Sequence, residues 1–230
     1  MQADIFRQSG YLTFPAMFDS SHLHIIDAAL NGMENGVAGA RQMLRFDWCA
    51  QLANEIRDTL ISARLVQPDF VCFQCTYFEK SVAHNWLVAL HQDLSIPVRN
   101  RIDNAALSGW SEKDGAIFVQ PPSTVLENLV ALRFHIDECG AEDGALKLVP
   151  GSHRLGRISD ADKARLRDKL GEVVCTVEKG GGMAMSPLLL HASSKATGGS
   201  RRRVLHFLFG PPALPYGLEW PVAPPAAALR

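Results

Sequence analysis

The chain has almost no excess charge: 23 Lys and Arg stand against 24 Asp and Glu in 230 residues, a formal −1. A chain so balanced has no global basic field to draw it to nucleic acid or anionic lipid, and neither is expected as a partner. It also lacks any uninterrupted apolar run near the ~20 residues that a bilayer demands, so no membrane-spanning helix is expected. Residues 1–14 show no basic end followed by an apolar stretch, and no secretory signal is read there. Cysteine is sparse: five residues, an odd number, scattered without the spacing of a disulfide framework. Together these absences give the expectation of a cytoplasmic protein with reduced thiols. There is no repeat of fixed period and no low-complexity tract.

What is present is ordinary globular text, 47% apolar and 20% charged, long enough to bury a sizeable core. Residues 1–67 read as a helical flank. Leu44, Trp48, Leu52, Ile56 and Leu60 recur every four residues and share one helix face. A shorter helix is expected over 22–30, capped by Ser20 or Ser21. From residue 68 to 210 the text turns strand-like. Runs at 70–79, 85–93, 116–120, 129–137, 145–149, 173–178, 183–191 and 202–209 are separated by Gly, Pro, Asn, Asp and Ser. About eight strands suit a jelly roll. A charged helix is expected over 160–170, and the Pro-rich tail 211–230 holds six prolines and little regular structure. The reading is one structural domain, mainly β with a helical flank.

The run 129–137 alternates cleanly. Val130, Leu132, Phe134 and Ile136 face one way, and Arg133, His135 and Asp137 the other. A polar face inside a jelly roll either meets water or lines a site.

His91-Gln92-Asp93 closes the second predicted strand. Residues i and i+2 of a strand point to one side, so an imidazole and a carboxylate converge, as two ligands of one metal would. His191, at the end of the apolar run 183–190, is the best third ligand. Two His and one carboxylate on one face of an ion form the facial triad of non-haem Fe(II) oxygenases. His135-Ile136-Asp137 has the same spacing. Strand counting sets it aside, because too few strands would separate it from His191 to wrap a metal from both sheets. In Arg201-Arg202-Arg203, alternation sends Arg202 to one face with Val204 and His206, and its neighbours to the other. A guanidinium pointing into the barrel needs a carboxylate, which it binds through two parallel hydrogen bonds.

These residues resemble the phytanoyl-CoA dioxygenase family of Fe(II)/2-oxoglutarate-dependent oxygenases. The resemblance rests on Tyr77-Phe78-Glu79-Lys80, on Asn85-Trp86 leading into His91-Gln92-Asp93, and on Gly144-Ala145-Leu146. It continues through Val149-Pro150-Gly151-Ser152-His153-Arg154 to His191-Ala192-Ser193 and the Arg202 strand. It implies a double-stranded β-helix (jelly roll, cupin-like), with iron on His91, Asp93 and His191. It also implies Arg202 on the far carboxylate of 2-oxoglutarate, with Arg201, Arg203 and Arg133 as rivals. The implied reaction takes dioxygen, releases succinate and CO2 and oxidises a small molecule. Asp93 stands where related halogenases have none, which points to hydroxylation, desaturation or cyclisation. Gln74, Lys80 and His206 are further candidates to line the cosubstrate pocket. Two other readings stay open: a metal-dependent cupin hydrolase or isomerase without 2-oxoglutarate, and a non-catalytic binding domain. Neither the substrate nor the oligomeric state is legible.

Several other motifs read as structural. Cys72-x-x-Cys75 on a strand would point to opposite faces, a poor zinc clamp. Gly180-Gly181-Gly182 precedes a strand and reads as a tight turn, and Ser152-His153 as a turn without an orienting third group. His22, His24 and His84 read as surface residues. Residues 94–114, with Arg99, Arg101 and Trp110, read as a long substrate-contacting loop whose arginines suit an anionic group.

Overall fold

In the computed structural model, which describes residues 1–31 and 39–221, the strand-like text folds as strands, and more of them than the sequence suggests. In chain order the elements are α1 (Gln2–Ser9), β1 (Tyr11–Phe14), α2 (Ser20–Asn31), β2 (Gly39–Ala40), α3 (Asp47–Ser62), β3 (Val71–Lys80) and β4 (Val88–His91). There follow β5 (Ile96–Val98), β6 (Ser108–Lys113), β7 (Ala116–Gln120), α4 (Ser123–Leu126), β8 (Val130–His135) and β9 (Leu146–Leu148). The last are α5 (Asp160–Leu170), β10 (Val173–Cys175), β11 (Gly182–Met185), β12 (His191–Ser193) and β13 (Arg202–Gly210). The part of the Pro-rich tail beyond 221 lies outside the described residues. Among the described residues no helix is long and apolar enough to cross a membrane.

A six-stranded sheet, β1-β11-β8-β13-β3-β2, and a four-stranded sheet, β10-β9-β12-β4, form the two walls of a double-stranded β-helix. A third sheet, β5-β7-β6, adjoins them. Every residue of β13 and of β8 is buried. Alternation explains how both of their faces are covered. Val130, Leu132, Phe134, Leu205, Phe207 and Phe209 meet the buried stripe of α2 and α3, including Leu23, Ile26, Leu52, Ile56 and Leu60. The opposite face looks into the barrel, where Ala131 and Leu208 pack with Ile96, Leu148, Met183 and Leu188. Each fully buried Leu or Ile contributes roughly 1.5–3 kcal/mol, so the helical cover adds substantially to the stability of the six-stranded sheet.

Several expectations shift. The cap of α2 is Asp19, whose Oδ1 accepts from the backbone N–H of Ser21 and His22, both at 3.0 Å, and neither Ser20 nor Ser21 fills that place. The repeat beginning at Leu44 starts one turn early, because Met43–Arg45 is a separate 3-10 turn before α3. The flank also contributes β1, which pairs with β11. The run 183–191 is not one strand. It breaks at Ser186-Pro187 into a buried turn and resumes as β12, so His191 opens a strand where the sequence suggested that it ended one. Residues 94–114 are not structureless, since they hold β5 and β6. On β3 a bulge at Phe73 resets the parity, so Cys72 and Cys75 both pack toward the helical side. They are free thiols pushed upward by burial, and form no metal-binding group in the structure.

Candidate active site

β4 and β12 are neighbours in the four-stranded sheet, and His91 and His191 are direct cross-strand partners. Their ring centroids lie 4.1 Å apart. Asp93 follows the end of β4. Its Oδ1 is 3.5 Å from Nε2 of His91, and its Oδ2 is 3.8 Å from Nε2 of His191. One donor atom from each residue fits within 4.8 Å of the others, and among the described residues no other group of three His, Cys, Asp or Glu converges so.

The backbone sets the donor atoms. Nδ1 of His91 lies 2.8 Å from the Ala89 carbonyl, and Nδ1 of His191 lies 2.9 Å from the Leu189 carbonyl. A carbonyl only accepts, so each Nδ1 carries a proton and Nε2 is the atom of each neutral ring left to coordinate a metal. Gln92 points the other way. Its amide donates to the carbonyls of Gly156 and Leu188 and accepts from the N–H of Ile158, which locks the turn between the two ligands. The N–H of Asp93 donates to the Pro187 carbonyl at 2.8 Å.

Protonation follows the same geometry. Burial pushes His191 down to about 4, against the pull of Asp93. Burial also opposes charge on His91, but the Asp93 carboxylate outweighs it and raises that ring. Burial works against the charge of Asp93 too, yet His191 and His91 hold it far below the usual carboxylate range. Once a metal displaces the proton that Asp93 favours on His91, the set is an anionic carboxylate beside two Nε2 donors, which fits a divalent cation.

The triad opens onto a cavity of about 420 Å3, and all eight residues singled out in the sequence line it: His91, Asp93, His191, Arg202, Gln74, Lys80, Arg133 and His206. Its far side is cationic. Arg202, Arg133 and Lys80 are 3%, 8% and 1% exposed, and among the described residues Asp93 is the single carboxylate in the lining. Lys80 donates to Ser193 Oγ and to the Ser194 carbonyl, both at 2.7 Å. Arg202 Nη1 donates to the Gly144 carbonyl at 2.9 Å, which also accepts from Ser193 Oγ. The Nε atoms of Arg202 and Arg133 are buried without partners. Burial and the two arginines push Lys80 down to about 8, and burial and Arg202 push Arg133 down to about 10. Beside them His206, paired across the ladder with Arg133, is pushed down to about 3 by burial and by that cation.

The three consecutive arginines separate by strand parity. Arg201 makes two hydrogen bonds of 2.9 Å to Glu79 on the surface. Arg203 grips Asp137 at 2.7 and 2.8 Å and also pairs with Asp27. Arg202 alone of the three enters the cavity. The second His-x-Asp is thereby accounted for: Asp137 is engaged by Arg203, and His135 is buried away from the cavity lining.

Sequence reasoning missed Arg41, Trp86, Lys113 and Phe118, which also line the cavity. Trp86 lies under the Lys80 ammonium at 5.4 Å, and its place in Asn85-Trp86 was a usable signal. Arg41 carried none, since it sits in the flank. From the 94–114 segment, Leu94, Ser95 and Lys113 reach the cavity, whereas Arg101 lies over Trp110 and neither lines it. Ser152 and His153 are structural, accepting from the Leu190 N–H and contacting the Arg7 carbonyl.

The sequence matches the family model of phytanoyl-CoA dioxygenase over residues 6–204. No curated protein matches it. Among solved structures, the fold is similar to the epimerase SnoN in complex with Fe3+, alpha ketoglutarate and nogalamycin RO, with TM-score 0.69 and 15% identity, covering 100% of this chain and 94% of that one. It is similar to HygX from Streptomyces hygroscopicus with nickel and 2-oxoglutarate bound, with TM-score 0.64 and 19% identity, covering 91% and 86%. AviO1 from Streptomyces viridochromogenes Tue57 gives TM-score 0.65 and 18% identity, covering 93% and 95%.

Proposed function

The chain belongs to the phytanoyl-CoA dioxygenase family, and from that premise we propose that it hydroxylates a small molecule using Fe(II) held by His91, Asp93 and His191 and 2-oxoglutarate held by Arg202. The observation that carries this reading is the pairing of two features in one cavity. A His-Asp-His donor set stands at one side, and three buried cations without a carboxylate of their own stand at the other. Buried charges of one sign are costly unless a counter-charge arrives, and the far carboxylate of 2-oxoglutarate is such a counter-charge. A hydrolase or isomerase of the same fold has no need of that cationic end.

When bound, iron and 2-oxoglutarate supply the oxidising power: one atom of dioxygen goes into succinate as CO2 leaves, and the other into the substrate C–H bond. The chain's own residues prepare the site for it. The Ala89 and Leu189 carbonyls fix the tautomers of His91 and His191. Asp93, ionised, supplies one negative charge. Arg202, with its planar fork and unpartnered Nε, would hold the distal carboxylate, and Lys80 and Arg133 would add charge beside it. Gln74, its amide turned to Thr76 Oγ1 at 3.1 Å, and neutral His206 offer polar contacts without further charge. Phe78, Phe118, Leu146 and Leu208 make the apolar part of the wall. The cavity volume suits a small molecule.

The test needs no substrate. Under anaerobic conditions, Fe(II) and then 2-oxoglutarate are added, and the visible charge-transfer band of chelated 2-oxoglutarate is followed. The band is expected in the native protein, absent in His91→Ala, and shifted to far higher 2-oxoglutarate concentration in Arg202→Ala. Arg133→Ala, run beside it, ranks the rival cation. Tight iron binding with no band would overturn the cosubstrate assignment.

A further inference from the structure

A second cavity, of about 600 Å3, shares Arg41, Gln74, Lys113 and Phe118 with the first, so the two adjoin across those side chains. This outer cavity carries four cations, Arg41, Arg45, Arg99 and Lys113, and no acidic residue lines it among the described residues. The chain as a whole is at −1, so this is a local concentration of charge and not a sample of a basic surface. Two of the four have exposed carboxylate partners outside the lining, Asp114 on Arg41 and Glu219 on Arg99. The other two rest on aromatic faces: Lys113 over Phe118 at 5.1 Å and Arg45 over Phe46 at 4.8 Å. Arg41 and Lys113 line both cavities, on the side of the triad cavity that adjoins the outer one.

Charge balance says what should pass. A divalent metal and doubly charged 2-oxoglutarate cancel each other, and Asp93 cancels one of the three inner cations. Two inner cations and Lys113 then face the remaining space without an anion among the described residues, and Arg41 has only the exposed Asp114 outside the lining. The walls between are apolar, with Leu94 and Phe118 on the inner side and Val98 and Ile117 on the outer. We infer that the substrate carries a carboxylate or phosphate group, held by Arg41 and Lys113, with its reacting carbon lying along the apolar wall toward His91 and Asp93. This inference rests on the oxygenase reading and adds the chemical class of the substrate.

Three probes of one chain length test it: hexyl phosphate, hexanoate and hexanol. Each is titrated calorimetrically into protein already loaded with Mn(II) and 2-oxoglutarate, so that the Arg202 end is filled. At least one anion is expected to bind roughly tenfold or more tightly than hexanol. That preference should shrink as salt rises and disappear in the double variant Arg41→Gln, Lys113→Gln. The charge-keeping double variant Arg41→Lys, Lys113→Arg should keep it within a few fold. Whichever anion binds tighter separates phosphate from carboxylate. Equal binding of hexanol and both anions, or a preference that survives loss of both charges, overturns the inference. Formation of the anaerobic Fe(II)–2-oxoglutarate band is scored separately. A protein that forms the band but ignores the anions sinks the anion site alone. A protein that never forms the band, yet binds the anions through Arg41 and Lys113, sinks the cosubstrate reading and leaves the anion site standing.

Discussion

Replacing Arg202 by Met should stabilise the protein and cripple its cosubstrate binding at the same time. In the ligand-free protein Arg202 is 3% exposed and shares its surroundings with Arg133 and Lys80, both of which it pushes toward the neutral form. Exchanging a buried charge for an apolar side chain of similar volume stabilises by roughly 1–4 kcal/mol when the charge was poorly compensated. The low end applies here, because the variant loses the bond from Nη1 to the Gly144 carbonyl, worth ~1 kcal/mol. That carbonyl still accepts from Ser193 Oγ at 2.8 Å, so no acceptor is stranded. A net gain of about 1 kcal/mol raises Tm by about 2–4 °C in a chain of this size. Ligand binding moves the other way. Losing the guanidinium should weaken 2-oxoglutarate by about 100-fold, the partial compensation coming from Arg133 and Lys80. At a concentration one hundred times the native Kd, 2-oxoglutarate stabilises the native protein by about 2.7 kcal/mol and the variant by about 0.4 kcal/mol. The order of Tm therefore inverts. With Mn(II) in every sample, thermal unfolding should place the variant above the native protein without 2-oxoglutarate and below it with 2-oxoglutarate. A variant that is less stable in both conditions, or that gains as much from the ligand as the native protein does, would refute the reasoning.

Further outcomes follow from the same geometry. Asp93→Ala should abolish tight metal binding in a calorimetric Mn(II) titration and abolish substrate hydroxylation. Asp137→Ala should leave that titration intact but lower stability by about 2–3 kcal/mol in chemical denaturation, since Arg203 keeps only Asp27. Lys80 is pushed down to about 8 in the folded protein from 10.5, so between those values the unfolded chain binds the extra proton and this group adds stability as pH rises. The native protein should therefore gain on Lys80→Met in thermal unfolding across pH 8–10.5, and saturating 2-oxoglutarate should erase the difference by restoring the charge. Gly144 sits at φ +70, where a Cβ would lie 2.8 Å from the Ser194 carbonyl and 3.0 Å from Lys80 Nζ. Gly144→Ala should therefore cost about 1–2 kcal/mol and weaken 2-oxoglutarate in the anaerobic titration.

Local rules reached far where the backbone is regular. The i, i+2 rule brought His91 and Asp93 to one side, and parity along β13 separated Arg202 from Arg201 and Arg203, because that strand keeps its register from Arg202 to Leu208. The rule failed at Phe73, where a bulge that no residue type announces reset the parity of Cys72 and Cys75. The run 183–191 was misread because Leu188, Leu189 and Leu190 are wholly buried in a turn, and continuous hydrophobicity reports burial and not strand. β6 was invisible for the opposite reason: Ser108–Lys113 is almost all exposed, and its strand form comes from pairing with β7. Strand counting set aside His135 and Asp137 on too coarse a ground. What separates the two His-x-Asp pairs is sheet adjacency, β4 lying against β12, together with the engagement of Asp137 by Arg203. Lys113 was covered only by the expectation that 94–114 contacts substrate, and Arg41 had no sequence signal, because their meeting is a product of tertiary structure.

The strand that carries His91 and leads to Asp93 is the outermost of its sheet. β4 is four residues long, its one ladder neighbour is β12, and that ladder is interrupted between His191 and Ser193. Two of the three donors thus hang from an edge with few hydrogen bonds of its own, and the third sits on the strand it must stay beside. An ion bound by all three is a cross-link between those strands. With metal bound there, amide exchange at the sheet margin should slow as metal occupancy rises, because opening that margin would mean releasing the ion. Metal scarcity would act on this enzyme first as a local loosening of the 88–93 edge, well before the helix-covered sheet behind it gave way.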